Sequence, residues 1–96
     1  MDLSIVISLY NEEESLRELI AWIEKAIAQS YLKGKEYEII MINDGSTDGS
    51  WRVIEELAKD NSHIRAISFR RNYGKSAALF EGFKAAQGDV VVTMDA

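Results

Sequence analysis

Three polar clusters and a lone penultimate aspartate follow the apolar runs of this chain, and each carries side chains able to do chemistry. "YNEEES" (10 to 15) sets a tyrosine and three carboxylates after one apolar run, and "NDGSTDGS" (43 to 50) puts Asp44 directly beyond another. "RRNYGKS" (70 to 76) gathers Arg70, Arg71 and Lys75 around Gly74, and Asp95 closes the last apolar run. An ionised carboxylate accepts hydrogen bonds without donating, so Asp44 suits the N–H of a nucleobase or a ribose hydroxyl. The basic cluster is the only dense one in an acidic chain and suits an anion, with Gly74 letting the backbone come close. Asp95 is a ligand type for a hard divalent cation, although one carboxylate is too few for a site alone. Each cluster also has a structural reading. Asn11 suits a helix cap completed by Glu14, Ser46 or Thr47 suits another beside Gly45 and Gly49, and the basic residues suit a solvated turn. His63, alone in a polar turn, reads as a surface residue, and Trp22, Tyr31 and Tyr37 read as packing or partly exposed.

The segments between these clusters must hold them in place. "LSIVISL" (3 to 9), "EYEIIMIN" (36 to 43), "IRAISF" (64 to 69) and "DVVVTMD" (89 to 95) are apolar, β-branched runs of strand length. Between them, Leu16, Leu19, Ile20, Ile23, Ala26 and Ile27 recur at helical spacing, as do Trp51, Ile54, Leu57 and Ala58, and then Leu79, Gly82, Phe83 and Ala86. Gly34, Asn61 and Gly88 stand where these helices are expected to stop. Strands alternating with helices predict right-handed crossovers and a parallel sheet covered on both faces, of order 3-2-1-4 if strand 4 returns to the far side of strand 1. Open sheets of this kind bind ligands at the carboxyl ends of their strands, where the order reverses. That rule points to Tyr10 to Glu12, Asn43 to Ser46, Arg70 to Lys75, and Asp95.

Composition removes several classes of function. The 96 residues form one domain at most, and 47% hydrophobic with 28% charged residues is ordinary for a globular protein. A net charge of −5, from 11 basic and 16 acidic side chains, argues against general nucleic-acid binding, which needs a basic footprint. Without cysteine there is neither a disulfide scaffold nor a thiolate metal site. No apolar run approaches the roughly 20 residues that span a bilayer, and the start of the chain lacks a signal-peptide pattern, so a cytoplasmic location is expected. The glycine fingerprint of a dinucleotide fold is absent after the first strand, and Glu12, Glu13 and Glu14 would repel a phosphate there.

Taken together, "SIVISLYNEEES", "EIIMINDGSTDGS", "FRRNYGKSAAL" and "GDVVVTMDA" resemble successive motifs of the nucleotide-binding half of the GT-A glycosyltransferases of family two. The resemblance covers the whole chain and is strongest to polyprenyl-phosphate sugar transferases of the dolichyl-phosphate mannosyl synthase type. It implies a Rossmann-like α/β three-layer sandwich and a UDP- or GDP-sugar donor. It also implies a nucleotide-binding set of Ser8, Tyr10, Glu12, Ile42, Asp44, Lys75, Asp95 and Ala96. Within that set Tyr10 and Glu12 would contact base or ribose, Asp44 would read the base, and Asp95 would open an Asp-x-Asp motif holding Mg²⁺ or Mn²⁺. The implied chemistry is inverting, single-displacement sugar transfer, with a polyprenyl phosphate at a membrane surface as one acceptor.

Ser8 stands where the family often has proline, and Asn43 where many members have a second aspartate. Beyond Ala96 the family would supply the rest of the metal motif, the acceptor half and any catalytic base, so the chain is expected to be a truncated piece of a longer protein. No residue of this chain is assigned a catalytic role. A non-catalytic nucleotide-binding module and a self-associating α/β fragment are the competing readings. A phosphoacceptor signalling domain is disfavoured because Phe69 and Arg70 stand where its aspartate belongs. "DVVVTMD" is expected to be an unblunted edge strand, and hence to pair with a second copy.

Overall fold

The structure, a computed structural model, describes all 96 residues, Met1–Ala96. Strands and helices alternate as β1 (Leu3–Leu9), α1 (Leu16–Ala28), β2 (Tyr37–Asn43), α2 (Ser50–Asp60), β3 (Ile64–Ser68), α3 (Lys75–Ala85) and β4 (Val90–Asp95). All strand pairs are parallel and the order is β3-β2-β1-β4, as the alternation predicts.

Strand alternation sends side chains to two faces, and each carries an apolar cluster where helices cover β1 and β2. On one face Leu3, Ile5, Ile7 and Leu9 of β1 and Ile39 and Met41 of β2 pack with Leu16, Ile20, Ile23 and Ile27 of α1 and Val53 and Ile54 of α2. On the other, Val6, Ile40 and Ile42 cluster with Ala78 of α3. Each large side chain buried in this way contributes about 1.5 to 3 kcal/mol. Gly82 brings α3 close to the sheet, since a Cβ there would lie 2.2 Å from Val6 Cγ1. This approach sets the height of α3, and so of Lys75 at its start, above the strand ends.

Helix ends depart from expectation in two places. α1 stops at Ala28, well before Gly34, because Ile27 is its last buried residue and Tyr31 would carry the helix into solvent. Ser30 Oγ closes the turn by donating to the Ile27 carbonyl and accepting from the Leu32 N–H. α3 stops at Ala85, and Gly88 serves a close crossing over β1, where a Cβ would lie 2.6 Å from Ser4 N. Asn61 follows α2 directly, as predicted.

β4 is paired only with β1 and is the least covered strand. Val90, Val92 and Met94 line an open apolar cleft of about 500 Å³ together with Trp22 and Tyr31. His63, by contrast, is spent structurally: it stacks on Tyr37 with centroids 4.0 Å apart, and its Nδ1 lies 3.1 Å from the Tyr37 carbonyl oxygen.

Candidate functional site

The connections leaving β1 and β2 are laced to each other. Asn11, the one non-glycine residue with positive φ (52°), accepts through Oδ1 from the Thr47 N–H at 2.8 Å and the Asp48 N–H at 3.3 Å. Its own N–H donates to Ser46 Oγ, and the Glu12 N–H donates to Ser50 Oγ, both at 2.9 Å. These bonds displace the helix caps expected of Asn11, Ser46 and Thr47: α1 and α2 begin after Ser15 and Gly49 without a side-chain cap bond. Asp48 opens α2 instead, accepting from the Ser50 N–H at 2.9 Å. The hydrogen bond to Ser50, aided by the Glu13 N–H, holds its carboxyl below the usual range despite some desolvation.

Asp44 joins this frame to the loop after β3. Its side chain is buried (4% exposed) and accepts from the Tyr73 N–H at 2.8 Å, the Gly74 N–H at 3.0 Å and Asn72 Nδ2 at 3.2 Å. Asn72 Nδ2 also donates to the Asp44 carbonyl at 3.1 Å. The loop can press this close because Gly45 has no side chain: a Cβ there would lie 2.1 Å from the Arg71 carbonyl carbon. Asp44 therefore sets the turn from which α3, and Lys75 as its first residue, departs.

Lys75 reaches from that turn to the end of β4. Its Nζ donates to Asp95 Oδ2 at 2.6 Å, and Ser8 Oγ donates to Asp95 Oδ1 at 3.2 Å. The hydrogen bond from Lys75, then its charge, and the Ser8 hydroxyl together outweigh desolvation and keep the Asp95 carboxyl below its ordinary value. Around this pair opens a polar cavity of about 410 Å³ lined by Ser8, Leu9, Tyr10, Asp44, Asn72, Gly74, Lys75, Asp95 and Ala96. It lies at the carboxyl ends of the strands, beside the β1/β4 reversal, where open sheets take their ligands.

Six of the eight residues in the expected nucleotide-binding set thus meet in one cavity: Ser8, Tyr10, Asp44, Lys75, Asp95 and Ala96. Ile42 does not. It neighbours Ser8 in register, but it is fully buried in the cluster containing Ala78 of α3 and does not line the cavity. Glu12 lines a separate small recess with Asn11, Glu13, Glu14, Ser15 and Asp48. The basic cluster divides as well. Lys75 lines the cavity, whereas Arg71 lies over the Tyr73 ring at 4.9 Å and neither Arg70 nor Arg71 contributes to the lining. Asn72, overshadowed in the sequence by the basic residues around it, joins the site; its signal is an amide two residues before the glycine that precedes α3.

Asp95 and Ser8 present oxygen donors suited to a hard cation, but no group of three His, Cys, Asp or Glu side chains could hold a metal ion. Such a donor set fits the mode in which Mg²⁺ takes one or two carboxylates and completes its shell with substrate phosphates and water. No helix is long and apolar enough to cross a membrane.

Comparison with known proteins agrees with this architecture. The chain is 45% identical over 94 residues to the undecaprenyl-phosphate 4-deoxy-4-formamido-L-arabinose transferase of Proteus mirabilis, covering 97% of this chain and 28% of that protein. It is 47% identical over 96 residues to the protein of the same name from Pectobacterium carotovorum, covering 99% and 28%. The chain thus spans little more than a quarter of these relatives' length. Among solved structures, the mannosyltransferase PcManGT from Pyrobaculum calidifontis in complex with GDP-Man and Mn²⁺ superposes with a TM-score of 0.83 at 21% identity, over 97% of this chain and 26% of that one. Staphylococcus aureus TarS 1–349 in complex with UDP-GlcNAc gives a TM-score of 0.79 at 23% identity, over 99% and 26%. The sheet order and helix placement are those of the first part of a GT-A fold. Residues 4–96 match the model of glycosyl transferase family 2, and the chain belongs to that family.

Proposed function

We propose that this chain is the donor-binding part of a transferase that takes a UDP- or GDP-sugar and, in the longer protein, passes the sugar to a polyprenyl phosphate. The observation that carries the reading is the convergence of Ser8, Tyr10, Asp44, Lys75 and Asp95 on one polar cavity at the strand ends. Donors named in two neighbours' structures, GDP-Man and UDP-GlcNAc, and the undecaprenyl phosphate in the relatives' names support it. Tyr10, 45% exposed, offers a flat apolar face to the base, and Asp44, beyond its bonds to residues 72–74, keeps one lone pair on Oδ1 for a base N–H. Lys75 and Ser8 face the diphosphate, and Asp95 would hold Mg²⁺ or Mn²⁺. That cation, when bound, supplies positive charge against the departing diphosphate. A polyprenyl phosphate is already an anion, so transfer to it needs no general base, and none is assigned among these residues. Ile42 falls outside this reading, and Glu12 enters it only by holding the β1–α1 turn through Ser50.

Calorimetric titration with UDP and GDP, with and without Mn²⁺, tests the reading: weak but saturable binding of one of them is expected. A folded chain giving no heat with either would overturn it. With sugar donor and polyprenyl phosphate supplied, these residues alone should release no nucleoside diphosphate, and turnover by them would overturn the division between donor part and acceptor part.

One observation favours a second activity of the isolated chain, self-association. Val90, Val91 and Val92 are 58%, 38% and 42% exposed on a strand with one free edge and no lysine or proline to blunt it. A dimer joined by antiparallel β4 strands is expected on size exclusion with light scattering, returning to monomer in Val91→Lys. A monodisperse monomer at high micromolar concentration would refute it.

A further inference from the structure

The one carboxylate in the cavity suited to a divalent cation is already held by a cation of the chain's own. Lys75 Nζ sits 2.6 Å from Asp95 Oδ2 and Ser8 Oγ 3.2 Å from Oδ1, so both oxygens carry donors. The ammonium is placed there by the backbone, because the hydrogen bonds from Tyr73 and Gly74 to Asp44 fix the turn from which Lys75 springs. With no cluster of three ligating side chains to fall back on, a divalent ion arriving alone meets a neutralised carboxylate and a positive charge beside it. An ion arriving with a diphosphate meets a different balance. The phosphates offer the ammonium another anion and offer the ion the oxygens that the protein lacks.

We propose that Lys75 is an electrostatic latch on Asp95 that makes divalent-cation binding contingent on a nucleoside diphosphate in the cavity. The inference rests on the donor-binding reading above. In the empty site Lys75 competes with the ion and weakens its binding; with diphosphate bound, Lys75 transfers to a phosphate oxygen and Asp95 is freed to face the ion. Both partners are more than half exposed, at 60% and 57%, and an exposed pair opens readily, as a latch released by binding requires. Lys75 is in this sense a positioning residue whose removal has effects of opposite sign on two ligands. Loss of a merely structural contact would weaken both or neither.

The test uses the isotope-labelled chain and reads binding rather than turnover. Mn²⁺ is titrated without nucleotide, and paramagnetic broadening of the Ser8 and Ala96 amides reports occupancy at Asp95. Lys75→Met is expected to bind Mn²⁺ alone about thirtyfold more tightly than the native chain, the factor for removing a unit charge about 4 Å from a divalent ion in water. The same variant should bind UDP or GDP in EDTA at least about fivefold more weakly, having lost a charge-assisted contact to phosphate. Lys75→Arg should stay near native in the Mn²⁺ titration, and adding Asp95→Asn to Lys75→Met should abolish the local broadening. An unchanged amide spectrum away from the cavity establishes that each variant is folded. Native nucleotide binding without any gain of Mn²⁺ affinity in Lys75→Met would overturn the latch alone. A gain of Mn²⁺ affinity while neither chain binds UDP or GDP would overturn the donor-binding reading and the contingency on diphosphate with it.

Discussion

Asp44→Ala is expected to lower the unfolding free energy by about 2 to 4 kcal/mol and to weaken UDP or GDP binding by a further 1.5 to 3 kcal/mol or so. The side chain accepts three hydrogen bonds from residues 72–74, two of them from backbone N–H groups. A bond to a charged acceptor contributes about 1.5 to 3 kcal/mol net. Tyr73 is half exposed, so water recovers part of the loss at the loop. The sum is therefore set below that of three fully buried bonds. Binding falls because the loop that delivers Lys75 and lines the cavity loses its anchor, and because an acceptor for the base is removed. Asp44→Asn keeps one acceptor oxygen and turns an amide donor toward other donors, so an intermediate stability is expected. Urea unfolding with an unchanged slope reads the first effect, and calorimetry with UDP and GDP the second. A midpoint for Asp44→Ala equal to the native one would show that the loop is held by something else.

Asp44 also marks where sequence legibility ends. Its position at the lip of a strand was readable, because "IIMIN" is an apolar run and Gly45 must follow it. Its partners were not, since Tyr73 and Gly74 lie about thirty residues on and donate through backbone, which carries no side-chain signature. The sheet was legible for the opposite reason. Its evidence is distributed over four β-branched runs and three stripes at helical spacing, and parallel pairing follows from their alternation. Caps failed because Asn11, Ser46 and Thr47 found partners across the two loops before any helix began. A capping residue and a loop-lacing residue have the same chemistry, and only tertiary structure separates them. Ile42 stays out of the cavity through cover rather than position: it neighbours Ser8 on the same sheet face, yet it packs against Ala78 of α3 while Ser8 lines the cavity. Register is visible in alternation; the lateral placement of a helix over a sheet is not.

Glu38 passed unremarked within "YEIIMIN", and the second large effect belongs to it. The residue is 2% exposed in the middle of the sheet, an unusual place for a carboxylate unless every oxygen is satisfied. Oε2 accepts from Ser4 Oγ at 2.5 Å and the Gln87 N–H at 2.7 Å, and Oε1 accepts from Arg65 Nη1 at 2.7 Å. Arg65 continues to the Ala85 carbonyl, and Ser4 Oγ accepts from the Gly88 N–H, so one carboxylate joins β1, β2, β3 and the crossing into β4. No buried side-chain polar atom in the chain is left without a partner.

Burial pushes the Glu38 carboxyl up, but the bonds from Ser4, Gln87 and Arg65 and the Arg65 charge more than offset it and hold the group below its ordinary 4.5. A carboxyl depressed in the folded state binds fewer protons there than in the unfolded chain. Its stabilisation is therefore complete above the unfolded value near 4.5 and is lost as pH falls through the folded value. Asp48 and Asp95, also depressed, steepen the acid limb of the native chain in the same direction, so the native profile alone cannot isolate Glu38. Glu38→Gln does. At neutral pH the amide should cost about 2 to 4 kcal/mol, because it turns two donors toward Ser4, Gln87 or Arg65 and leaves a buried hydroxyl poorly paired. As pH falls below about 4.5 the native chain loses this stabilisation progressively, and the gap between the two proteins should narrow, which urea midpoints taken from pH 7 downward would register. Parallel profiles, offset by a constant amount, would mean that the ionised form of Glu38 contributes nothing specific. Since Gln87 and Gly88 lead directly into β4, loosening this clamp also frees the least covered strand. Acid or Glu38→Gln should then raise the self-association of the chain together with its loss of stability, and Val91→Lys in the same background should suppress the first effect without restoring the second.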